Sequence, residues 1–483
     1  MRKDDLVVDG ILPAPLTSDR RAFAYSWPYQ EAINPGNWRF SETGQHRIRR
    51  MPETQSELAV DSRWPAFFPS SICLVTTSSN GELFLEKVVG ASIVNRFPYV
   101  VMLSFCRQPL SERHYVRRTF MDAMESSERV AIQFVLPGPK LQAIMTAIAE
   151  VPEDWAGERL RHAGLPLSEV PKGAPPVFHD SYLVYEGRLV KPTRDFEGQC
   201  IYPEPWMDIG SHRSYFFEVE TIGLREDIAA GLVPLQWRSL PTWPHGPSPP
   251  ETDCNLEARR DAFLARSAFV KGYQPDYLFP GPGTIAFEAD EIRDGRAIKH
   301  LLPLGADQVE IDNDRARWPC FFPSSVALLT VAGRNGAAGA MSCGSTTIIA
   351  RYPLTIAVCV SYACINERYA PRASLELFTN AERFGCGVPY HAPHVLTAIS
   401  YLGNVSRLLD PDKATHSGLT PVEIGGTTAF SELPIHYGCR IVGSIPLGTH
   451  RMFLGRVEEI AIRPDLSEAT PLEWCPWAGL LAL

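Results

Sequence analysis

The chain has 483 residues, length for two large domains or three ordinary ones. Lys and Arg number 46 against 55 Asp and Glu, a formal net charge of −9, which disfavours a general binder of nucleic acid or anionic membranes. With 45% hydrophobic and 21% charged residues the chain has a globular composition, and its 42 prolines favour rigid, irregular connections over long helices.

Residues 1–60 read as an N-terminal arm that turns acidic at once, with no apolar core of a leader peptide. No stretch approaches the ~20 apolar residues that cross a bilayer. Eleven cysteines make an odd count without CxxC spacing, the pattern of thiols in a reducing cytoplasm. The first barrel-sized unit, 61–235, opens with Arg63-Trp64-Pro65-Ala66-Phe67-Phe68-Pro69-Ser70-Ser71. Pro-Ser-Ser there starts a β-branched run, and strands are predicted over 71–77, 99–105 and 182–190. A short helix is predicted over 140–150. The Pro-rich stretch 241–250 is too rich in proline for a helix or a central strand and reads as a linker.

Beyond the linker the chain repeats itself. Arg317-Trp318-Pro319-Cys320-Phe321-Phe322-Pro323-Ser324-Ser325 matches the earlier motif at eight of nine positions, 254 residues on. Asn95-Arg96-Phe97-Pro98 pairs with Ala350-Arg351-Tyr352-Pro353, His162-Ala163-Gly164-Leu165 with His416-Ser417-Gly418-Leu419, and Gly210-Ser211-His212-Arg213 with Gly448-Thr449-His450-Arg451. The second copy predicts strands over 325–331, 354–360 and 435–442, a tight turn at Asn335-Gly336, and a helix over 394–402. The expected organisation is a linker and second arm over 236–310, a second unit over 311–465 and a tail over 466–483. Mostly strand with a few short helices, in units of this size, predicts β-barrels.

Residues 339–353 concentrate small and hydroxyl side chains between two predicted strands. Small residues admit a flat ligand, and hydroxyls with successive backbone N–H groups suit a phosphate; the same composition also describes an ordinary loop. His391 and His394 read as surface residues, and the recurring His162 and His416 as structural ones. No G-x-S-x-G, P-loop or GxGxxG is present.

The order of these features resembles the flavin reductase-like family of FMN-binding split β-barrels, over roughly 318–460 and more faintly over 64–222. The resemblance implies a mainly β fold: two tandem split barrels closed on each other as an intramolecular pseudo-dimer, with a further homodimer left open. It implies a flavin oxidoreductase holding FMN, or FAD, non-covalently, with NAD(P)H as co-substrate. Electrons would pass to a partner monooxygenase or directly to a small organic substrate, in keeping with secondary metabolism. The residues implied for the cofactor are Met341, Ser342, Cys343, Ser345, Thr346, Thr347, Arg372 and Ser374, with His450 as the catalytic candidate; no metal site is expected. The family's Gly-Asp-His reads Gly448-Thr449-His450 here, so its carboxylate is absent. In the first unit Lys87-Val88-Val89-Gly90-Ala91-Ser92 stands opposite Ser342 to Thr347, and the branched valines imply an altered site. Arg113, Arg117 and Arg118 are expected to reach across to a phosphate. The alternative is a split barrel repurposed for haem, with His450, His212 or Cys343 as axial ligand, or for non-redox ligand binding.

Overall fold

The computed structural model describes most of residues 70–192, 204–226, 289–300 and 324–462, with Tyr25–Ser26, Arg47–Arg50 and Glu473–Trp474. Arg113, Asn335 and His391 lie outside the described residues.

Six antiparallel strands close the first barrel. These are β1 (Cys73–Ser79), β2 (Glu82–Val88, continued by Gly90–Asn95), β3 (Val100–Cys106), β4 (Arg129–Val135), β5 (Ser181–Leu189) and β6 (His212–Arg225). The circuit runs β1-β2-β3-β6-β5-β4 and returns to β1. The second barrel repeats it with β7 (Ser324–Gly333), β8 (Ala338–Arg351), β9 (Leu354–Ser361), β10 (Ala381–Val388), β11 (Ile435–Leu447) and β12 (His450–Ile462). Its circuit is β7-β8-β9-β12-β11-β10, and β10 returns to β7. Even the irregularities recur: the register shifts between Ile93 and Asn95 in β2, and between Ile348 and Ala350 in β8. Closure leaves neither barrel with a free edge strand.

Short helices fill the gaps in equivalent places. They are α1 (Thr119–Ser127), α2 (Pro139–Glu150) and α3 (Glu158–Ala163) in the first barrel, and α4 (Ala373–Thr379), α5 (Pro393–Asn404) and α6 (Lys413–His416) in the second. Predicted strands and the α2 and α5 helices fall within a few residues of those observed. One expectation is corrected: 339–353 is not a loop, because 338–351 form a single strand. Its β-branched half, Thr346-Thr347-Ile348-Ile349, favours extended backbone, and it has a neighbour on each side. Most of its residues belong to the two ladders; Gly344 and Ser345, where the register with β7 shifts, and Ile349, where the register with β9 shifts, stand outside both.

The barrels pack face to face through an apolar layer drawn from both: Val94, Val100, Met102, Val190 and Phe216 meet Ile349, Ala357, Cys359, Leu447 and Met452. The Ser104 hydroxyl donates to the Ile349 carbonyl at 2.5 Å across this layer. The arms are exchanged. Arg47–Arg50 pairs with β12 of the second barrel, Arg47 opposite Ile462. Arg296–His300 pairs with β6 of the first, Ala297 opposite Leu224. Because Leu224 and Ile462 are equivalent positions, each repeat lays its arm on the last strand of the other.

Candidate functional site between the barrels

Strand alternation sorts the predicted residues by face. Thr346 is paired with Val358 and Thr347 with Ala357. Val358 belongs to the barrel interior and Ala357 to the inter-barrel layer. Directly opposed residues share a face, so Thr346 points into the barrel and Thr347 toward the other repeat. Both hydroxyls are buried, that of Thr347 without a hydrogen-bond partner. Thr346 lies beside Cys343, whose thiol is pushed up by burial and which donates to the Cys359 carbonyl at 3.5 Å. Ser342 turns away from both faces of interest, donating to the Ile399 carbonyl of α5 at 3.0 Å. Met341 and Ser345 are half-buried. The strand therefore divides these six residues and does not gather them into one shell.

The same alternation puts His450 on Thr347's face. Opposed pairs run Ala357–Leu454, Cys359–Met452 and Ser361–His450 along β9 and β12. His450 thus lies four residues, ~13 Å at about 3.3 Å each, from the row of Thr347. It is buried at 9% exposure. Gly448, with φ 66°, makes the turn into β12. Behind it the Thr449 N–H donates to the Asn95 Oδ1 of the first barrel at 2.9 Å, and the Thr449 hydroxyl donates to that same oxygen. His450 Nδ1 lies 2.8 Å from the Thr449 Oγ1. Arg372 is the N-cap residue of α4 and Ser374 its second residue, both half-buried.

In the first barrel the equivalent positions are engaged internally. Arg118, the N-cap residue of α1 and counterpart of Arg372, pairs with Glu86 at 2.7 Å. Arg159 holds the other side of the same carboxylate oxygen at 2.9 Å. Arg117 is bound to Asp122 at 3.1 Å and Glu125 at 2.5 Å. The expectation that Arg117 and Arg118 reach across to the second barrel is therefore corrected: carboxylates of their own barrel neutralise them. Glu86 and Asn95 were not singled out in the sequence, since one buried acid and one buried amide have no pattern there. A cleft lined by Ser168, Glu186, Thr221, Arg293 and Arg296 lies between the first barrel and the second arm, and none of the predicted residues lines it.

Behind the site, α5 ends on a buried cation. Lys413 donates to the carbonyls of Leu402 at 2.8 Å and Val405 at 2.6 Å. Asp410, buried beside it, accepts from the Tyr401 hydroxyl at 2.5 Å and lies 2.9 Å from His416 Nδ1. The first barrel uses Arg159 in the same way, its Nε donating to the Val151 carbonyl beyond α2 at 3.0 Å. His162 sits 3.4 Å from Glu150.

Residues 319–477 match the profile of a family described as flavin reductase like domain. No curated protein matches the chain. Similar solved structures include an NADH:FAD oxidoreductase of Streptomyces globisporus, at 19% identity and TM-score 0.27, covering 32% of this chain and 83% of that one. A flavoredoxin of Methanosarcina acetivorans matches at 19% and 0.27, covering 31% and 79%. The styrene monooxygenase flavin reductase of Pseudomonas putida S12 matches at 18% and 0.26, covering 32% and 88%.

Proposed function

We propose that this chain, whose residues 319–477 are a flavin reductase like domain, is a flavin-dependent oxidoreductase with its site on the inter-barrel face of the second barrel. One observation carries the reading: the Thr347 hydroxyl is buried without a partner on the face that also bears His450. Buried hydroxyls are nearly always satisfied, so an orphan here fits a ligand's polar atom. Thr347 would bind the flavin's polar edge or tail. Arg372 and Ser374, at the start of α4, suit its phosphate. His450 would meet the flavin edge or the nicotinamide. When bound, the isoalloxazine accepts hydride from NAD(P)H and stores the electrons. The residues around it bind, orient and exclude water; none needs to act as an acid or base. FMN and FAD both suit this donor set, and the Glu86–Arg118 pair favours a single site per chain. The electrons leave as reduced flavin handed to a monooxygenase, or directly to a small organic substrate.

The test is titration of the purified chain with FMN and with FAD, followed by fluorescence quenching and visible absorption, then flavin-dependent oxidation of NADH or NADPH. Saturation at one flavin per chain with turnover is expected. A chain that binds no flavin overturns the reading, and a Soret band in place of flavin bands favours the haem alternative. Release of reduced flavin to cytochrome c in the presence of a flavin trap separates the two electron exits.

A further inference from the structure

We propose that Asn95 of the first barrel sets the protonation pattern of His450 in the second, so that the neutral imidazole carries its proton on Nδ1 and presents Nε2 as an acceptor. The chain of hydrogen bonds leaves little freedom of sign. Asn95 Nδ2 donates to the Pro98 carbonyl at 2.9 Å, and its Oδ1 accepts the Thr449 backbone N–H. A carbonyl that only accepts and an N–H that only donates fix which end of the amide is which. The amide oxygen can only accept, so the Thr449 O–H must point at it. That uses the one proton of the hydroxyl. What Thr449 Oγ1 offers His450 Nδ1 at 2.8 Å is a lone pair, and Nδ1 must be the donor. In a histidine the partner of one nitrogen decides the role of the other.

The first barrel lacks this device. Ser211 Oγ and His212 Nδ1 keep the same 2.8 Å contact. The position equivalent to Asn95 is Ala350, which follows the same register shift in β8 and has no side-chain acceptor. The pseudo-two-fold is therefore broken at one residue, and the first barrel completes the histidine turn of the second. The tautomer assignment stands independently of the function proposed above.

The experiment is nitrogen NMR of the histidine rings in full-length protein labelled at histidine, with His450→Gln identifying the resonances, above the pH at which the ring is charged. In the wild type, Nδ1 is expected in the protonated range and Nε2 in the unprotonated range. Asn95→Ala and Thr449→Val should move His450 toward the Nε2–H form, whereas Thr449→Ser, which keeps the hydroxyl, should retain the wild-type pattern. An Nε2–H tautomer in the wild type, or no change in both Asn95→Ala and Thr449→Val, overturns the proposal. Because the ring reports its tautomer without any flavin, a correct tautomer in a chain that binds no flavin would sink the proposed function and leave the relay standing.

Discussion

Two adjacent threonines on β8 make opposite predictions. Thr347 faces the other barrel, its buried hydroxyl unpartnered, and Thr346 faces the interior, its hydroxyl against the Cys343 thiol. Thr347→Val should weaken flavin binding roughly tenfold, about the 1.4 kcal/mol of one hydrogen bond. Thr346→Val keeps the shape and gives up only a contact with the Cys343 thiol, so flavin affinity should hold and stability change by less than ~1 kcal/mol. Equal losses of affinity in the two variants, read by fluorescence titration, would refute the facing. Arg372→Ala should cost more, about 1.5–3 kcal/mol for a bond to a charged group, with partial recovery in Arg372→Lys. Lys413 makes a pH prediction. Burial pulls its ammonium down to about 7, with Asp410 opposing the shift. From about pH 7 up to the ordinary lysine value, the unfolded chain binds a proton that the folded chain has released. Stability contributed at this residue therefore rises with pH across that window, and below it the full desolvation cost remains. A neutral amine still keeps two N–H donors, one for each of the carbonyls of Leu402 and Val405. Urea unfolding at several pH values from 7 to 9 should show wild type gaining on Lys413→Met by up to ~1.4 kcal/mol per pH unit; parallel curves would exclude it.

At the scale of elements, the two barrels come close together where β2 meets β8. A Cβ on Gly90 would lie 2.5 Å from the Ile348 carbonyl oxygen and 3.1 Å from the Ser104 Cβ. Backbone on one side and a strand on the other leave nothing flexible to yield. Gly90→Ala should destabilise the chain by about 1–3 kcal/mol through overpacking, measurable as a lower midpoint in urea. The positions of β1, β3, β7 and β9 were legible beforehand, because short β-branched or aliphatic runs that follow a proline have few other solutions. Helices α1 and α4 were missed, being only nine and seven residues long and held by packing rather than by propensity. Strand β8 was misread as a loop for a related reason: its glycines and serines have weak strand propensity, and two flanking ladders impose the extended form.

Across the whole molecule, the exchanged arms and the shared apolar layer tie the two repeats together. Cleavage at a protease site placed in 241–250 should leave two fragments that co-elute on size exclusion and part only in denaturant; separation in native buffer would show that the arms and the layer do not hold them. From the sequence alone came the duplication, the barrel class, the flavin-reductase resemblance and the candidacy of Thr347, Arg372 and His450. Those are local matters: strand periods, repeated motifs and residue chemistry are all written along the chain. Which threonine faces the partner, that Glu86 occupies the first barrel's arginines, and that Asn95 reaches Thr449 across 354 positions were settled only by tertiary structure. Facing depends on register, and charge pairing depends on which strands lie side by side. Neither is encoded by any residue on its own.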